Sequence, residues 1–526
     1  MNTKTTPAKL FLLWIIFILP LQGQDFLSEI QKEKNNYFML VPFYFYQGQP
    51  EKAEVLINEF LEKYPRDPIM LTEKAVLLNQ FKNKPDEALA VIAKARESYP
   101  TYYYLNFLHA SILYNKAIAN QTPNVDLLQQ AAKYLEMSIQ DNEQLFESLY
   151  LAGIVQAELN EPETSNRYFE QAVKLRDTLP VYIYMSYNYR RIGDVDKELD
   201  TYHNILRLDP KNERVKKPLA EVYMKKKEFF QSYLTLLDVK EENRDAGYHA
   251  LMLELYSVFN MNQRVIQMFQ VLSKDDEVLK KLPLSIIYRV IYAFGNLGRF
   301  QEARYALIVA EGLYPRQKEL ISDMAQLTKR FLDREEITLE HARFNYNLLV
   351  ALHFYKSQKR YREATALIER LSAQKKDLPI SLELCDILSK QGKNKKAEAL
   401  ILKLQTDYGD SPDWQNYYAY FLALRNKSLD SALEFSRAAL DSDSESPAFL
   451  DTYGYILLKM KRYEQAEEYL EQAYSKNPLD REIISHMVEC YDKLGKHKEI
   501  RDIYQLAIDH DVDFKLELQK ELEHVR

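Results

Sequence analysis

Between Val181 and Arg191 the chain reads VYIYMSYNYRR, with four tyrosines in the first nine residues and two arginines at the end. On a helix, Tyr182, Met185 and Tyr189 fall on one stripe and Tyr184, Tyr187 and Arg191 on a second, rotated stripe. One segment therefore offers a packing face and a face of rings and guanidinium groups. The chemistry of such a face is recognition, because rings bury area at low entropic cost and guanidinium pairs with carboxylates.

Residues that could do covalent or metal chemistry are not found in working arrangements. The sequence has no H-E-x-x-H, G-x-S-x-G, P-loop or dinucleotide fingerprint. Its nine histidines are scattered without metal-ligand spacing, and Cys385 and Cys490 are the only cysteines, too few for a disulfide framework or a thiolate metal site. The acidic run DSDSES at 441–446 lacks the glycine and the distal glutamate of a calcium loop, and reads as helix-capping residues in a turn. The chain is expected to be non-catalytic, with no metal and no small-molecule cofactor.

The elements that position the tyrosines follow from composition and period. Only 12 glycines occur among 526 residues, against 46% hydrophobic and 28% charged residues, which suits helices and disfavours Gly-rich loops or a β-sandwich. The net charge of −7 is spread without a basic block, so no nucleic acid is expected as partner. Residues 1–23, MNTKTTPAKLFLLWIIFILPLQG, combine Lys4 and Lys9 with an apolar run from Leu10 to Leu21 and end on Gly23, the pattern of a signal peptide. Export to a periplasm or secretion is expected. Retention of this segment as a membrane anchor is the alternative, and membrane contact is expected only in that case.

A unit recurs along the rest of the chain, clearest in FLDTYGYILLKMKRYEQAEEYLEQAYSKNP, Phe449–Pro478. Gly454, Ala466, Leu470, Ala473 and Pro478 give it a close resemblance to the tetratricopeptide repeat family. Two antiparallel helices cross closely only where small residues sit, and Gly454 and Ala466 fill those places. With Ala466 as the frame, equivalent residues fall at Ala53, Ala88, Ala131, Ser165, Glu198, Ser232, Val265, Ala303, Ala364, Ala397, Ala432 and Ile500, mostly about 34 residues apart. Pro65, Pro100, Pro210, Pro315 and Pro478 keep the same register.

The expected fold is all-α, a right-handed superhelical solenoid of about thirteen helical hairpins. An N-terminal array is expected at 24–315, an irregular helical junction at 316–343 where the spacing stretches to 61, a C-terminal array at 344–511 and a capping helix at 512–526. A spacing of 43 around Ala117–Asp126 implies a longer loop within one hairpin.

The resemblance also implies which residues line the concave groove. It places Tyr150, Tyr187, Arg190, Arg191, Arg214, Lys217, Tyr288, Tyr292, Tyr346 and Tyr455 there, while Tyr182 and Tyr189 pack inside their hairpin. The Lys and Asn pattern by which some such repeats clamp a terminal carboxylate is not matched, since Tyr187 and Glu221 stand at two of the Asn positions. The implied function is a scaffold or adaptor that holds a protein or peptide partner, of acidic character where the arginines lie. The alternative is glycan binding or polysaccharide export, with the groove tyrosines stacking on sugars; Trp414 is the only tryptophan beyond the leader.

Overall fold

In the computed structural model the described residues are 29–526, apart from 121, 274–282, 336, 338–344, 375–376, 511 and 525–526. The expected leader, 1–23, lies outside them. The described residues form thirteen antiparallel helical hairpins and no strand, an all-α solenoid. They divide into two compact units at Asn212/Glu213.

The first unit holds five hairpins, from Glu29–Tyr46 with Pro50–Lys63 to Leu179–Ile192 with Val195–Leu208. The second holds eight, from Glu213–Lys225 with Phe229–Leu237 to Arg481–Leu494 with His497–Asp509, followed by Lys515–His524. Helices begin where the sequence supplies a proline in the first turn, as at Pro50, Pro85, Pro162 and Pro447, or a capping carboxylate, as at Asp67, Asp245 and Asp480.

The frame position is buried in all thirteen hairpins, including those where it is not small. At two of them a serine uses the crossing point: Ser165 Oγ donates to the Gly153 carbonyl at 2.6 Å and Ser232 Oγ to the Ala220 carbonyl at 2.8 Å. Gly153 is required there for space, because a Cβ would stand 2.4 Å from the Phe169 ring. Glu198 is the exception in charge; its Oε1 accepts the Tyr202 hydroxyl at 3.1 Å and faces Arg190 Nε at 3.6 Å.

Twelve hairpin turns contain a residue with positive φ, and glycine supplies only five of them. Asn83, Asn160, Asn260 and Asn426, with Lys227, Lys359 and Lys461, supply the rest. This is how so few glycines suffice, at a cost of about 1 kcal/mol for each side chain held left-handed. In the third hairpin a longer connection between Ala117 and Val125 replaces the tight turn.

The division between compact units falls at Asn212/Glu213 and not within 316–343. Most of that stretch is a regular helix, Lys318–Leu332, packed between its neighbours Phe300–Leu313 and Asn345–Ser357 with Ile321, Met324 and Phe331 buried. This helix accounts for part of the stretched spacing; residues 336 and 338–344 of the expected junction lie outside the described residues.

The second unit also closes on itself. Phe229–Leu237 lies against Tyr463–Lys476. Lys227 Nζ reaches Asp443 at 2.6 Å, and the rings of Phe230 and Tyr233 meet His510 at 5.6 and 5.3 Å. Each hairpin contacts mainly its neighbours, so small rotations accumulate along the array until its first and last members meet.

Candidate functional site

The first unit resolves the tyrosine-rich helix, Leu179–Ile192, into its two faces. Met185 and Tyr189 are buried, and the Tyr189 hydroxyl donates to Glu170 at 2.6 Å. Tyr182 is half-buried. Tyr184 packs on the preceding hairpin, 5.5 Å from Phe169 and 6.2 Å from Tyr150 between ring centres. Tyr114, Tyr150 and Tyr184 come from three successive hairpins, and burial raises all three phenols, that of Tyr150 to about 12. Tyr187 is different: 64% of it is exposed. Beside it Arg191 donates to the Asn160 side chain and Arg190 faces buried Glu198.

In the second unit, Arg214 is exposed and Lys217 Nζ lies 2.7 Å from Asp245. Tyr288 departs from its expected place in the groove. Only 7% of it is exposed, because it packs into the core of the hairpin Leu284–Asn296 with Phe300–Leu313. Tyr292 is half-buried with its ring 4.3 Å from that of His353, whose Nε2 donates to the Tyr292 carbonyl at 3.2 Å. Burial lowers the His353 imidazole to about 4, so the ring is a neutral packing element at physiological pH. Of the expected basic residues, Arg190 and Arg191 belong to the first unit and Arg214 and Lys217 to the second.

An open cleft lies among Leu378–Lys390, Pro412–Ala423, Pro447–Lys459 and Arg481–Leu494. These are the first helices of four successive hairpins. It comprises two adjoining cavities that share Asn416, Tyr420 and Ala448. The apolar one, about 360 Å³, is lined by Leu378, Pro379, Leu382, Tyr417 and Phe449. The acidic one, about 330 Å³, is lined by Asp451, Asp480 and Glu482, with Asn477 and Thr452.

Local sequence explains each acidic side chain. Asp480 is the N-cap of Arg481–Leu494, its Oδ1 accepting the N–H groups of Glu482 and Ile483 at 2.8 and 3.1 Å. Asp451 is buried one hairpin earlier and accepts His486 Nδ1–H at 2.9 Å. The imidazole stacks on Tyr455, ring centres 4.0 Å apart, and Tyr420 lies 5.6 Å from Tyr455. Burial pushes the Asp451 carboxyl upward while the His486 bond pulls it back. Glu482 stands at the open rim, its carboxyl raised first by lost solvation and then by Asp480. Lys390, which opposes that rise, is itself bonded to Asp386 at 2.9 Å.

This arrangement can bind but has no visible nucleophile. No serine, threonine or cysteine hydrogen-bonds to His486 among the described residues. Both cysteines are buried free thiols, raised by burial to about 12 for Cys385 and about 11 for Cys490, far from the thiolate a nucleophile needs. Among the described residues no group of three or more His, Cys, Asp or Glu could hold a metal ion, and no helix is long and apolar enough to cross a membrane.

The tetratricopeptide repeat family matches this chain at residues 38–103 and 457–519. No curated protein matches it. Among solved structures it is similar to PilF of Pseudomonas aeruginosa, at 18% identity over 43% of this chain and 100% of that one, with a TM-score of 0.35. A thermophilic repeat protein of Thermus thermophilus, TTC0263, shares 20% identity over 36% and 99% of the two chains, TM-score 0.29. YrrB, described as having an unusual peptide-binding site, shares 18% over 38% and 96%, TM-score 0.32.

Proposed function

The chain belongs to the tetratricopeptide repeat family, and from that premise we propose that it is a non-catalytic scaffold that holds a protein or peptide partner against the first helices of its hairpins. The observation that carries this reading is the paired cleft of the second unit. An apolar cavity of about 360 Å³ adjoins a polar one of about 330 Å³. Its lining combines aromatic rings with unsatisfied polar groups, as recognition surfaces do. The leader-like residues 1–23 favour work outside the cytoplasm, in a cell envelope or secretory compartment.

The sugar-binding alternative loses its best residue. Trp414 is fully buried, its indole N–H donating to the Ile401 carbonyl at 3.0 Å, so it has no face to offer a glycan. The direct test is to probe immobilised random decapeptides and an immobilised glycan panel with the full chain. The reading expects peptides to be retained and sugars not. Retention of sugars alone would replace it.

A further inference from the structure

The acidic cavity presents acceptors with too few donors to meet them. Asp451, Asp480 and Glu482 line it; Asp451 is met by His486 and Asp480 by two backbone N–H groups, while Glu482 stands exposed at the rim. Asn477, nine-tenths buried, lines it too, and its Oδ1 accepts no hydrogen bond. Asn416, which joins the two cavities, carries a second buried Oδ1 without a partner. Tyr420 adds a ring shared by both cavities, a surface on which a cation can rest.

Resting on the peptide-binding reading above, we propose that this cleft selects a segment carrying a lysine or arginine beside an apolar residue. The cationic side chain enters the acidic cavity and donates to Glu482 at its rim, and the apolar side chain fills the space between Leu382, Tyr417 and Phe449. A basic side chain is the occupant because three carboxylates line the cavity and Glu482 stands exposed at its rim, whereas Lys and Arg bear only donors. A free polyamine would leave the adjoining apolar cavity unfilled, and a segment of chain fills both. The selectivity is opposite in sign to that expected from Arg190, Arg191, Arg214 and Lys217, and it belongs to the C-terminal hairpins.

The test uses the same random decapeptide array, probed with the full chain and with two variants. Glu482→Lys changes an exposed rim residue, and Leu382→Gln changes only the apolar cavity. Bound sequences should be enriched in Lys or Arg with an apolar neighbour. Glu482→Lys should weaken those sequences about ten-fold or more with its thermal midpoint unchanged, and Leu382→Gln should relax only the apolar preference. Enrichment of acidic or neutral sequences, or basic enrichment that Glu482→Lys leaves intact, would overturn this assignment while leaving peptide binding in place. Retention of no peptide would overturn the peptide-binding reading and this inference with it.

Discussion

The Asp513 carboxylate accepts the backbone N–H of Asn262 at 2.7 Å, across 251 residues of sequence. It also accepts the Asn262 side-chain amide at 3.0 Å and the Gln263 N–H at 3.3 Å, so a residue near the chain's end caps the helix Asn262–Leu272. That helix has no capping side chain of its own at Met261. The second unit is thereby held closed by an N-cap supplied from its far end.

Asp513→Ala should therefore destabilise the second unit by about 1 kcal/mol, the usual value of a lost N-cap. The effect should be local as well as global. Amide hydrogen exchange in the first turn of Asn262–Leu272 should accelerate, while the first unit is unchanged. Equal protection in both proteins would mean that the closure is not maintained in solution.

Lys461 occupies the turn between Pro447–Lys459 and Tyr463–Lys476 with φ of 64°, where a side chain is disfavoured. Lys461→Gly should raise stability by about 1 kcal/mol, read as a higher thermal midpoint. An unchanged or lower midpoint would show that the greater freedom of glycine in the unfolded chain outweighs the relief.

Glu73 gives the first unit a pH dependence. Burial pushes its carboxyl from 4.5 up to about 7. The folded state thus holds a proton that the unfolded chain has released between these values. The stabilisation is complete below about 4.5 and lost as pH rises through about 7. Glu73→Gln keeps the site neutral. At pH 8 the variant should be more stable by about 1–2 kcal/mol, allowing for the partial exposure of this residue, and near pH 4 the two should coincide. Equal midpoints at pH 8 would contradict the account.

The repeat frame was legible because close helix crossing imposes a fixed period. Even Glu198, which breaks the small-residue rule, is buried where the frame puts it. Helical spacing put Tyr187 and Tyr189 on different stripes, and the family resemblance implied that Tyr189 is the buried one, as it is. Tyr288 did not follow, because the family frame marks a direction and not how deeply a neighbouring helix covers it. The closure of the second unit was hidden as well, since Asp513 and Asn262 share no sequence neighbourhood. The acidic cleft was hidden for a related reason. His486 lies 35 residues after Asp451, and only the stacking of successive hairpins brings it against Asp451 and Tyr455. Applying the frame to Asp451, Tyr455, Glu482 and His486 together would have been the signal.

The measurement that tests the central claim most directly is a hydrogen-exchange footprint of the full chain, with and without the tightest-binding basic decapeptide from the array. Added protection is predicted in Pro412–Ala423, Pro447–Lys459 and Arg481–Leu494, and it should vanish in Glu482→Lys. Protection confined to Leu179–Ile192 and its neighbours in the first unit would contradict the account and return recognition to the tyrosines there.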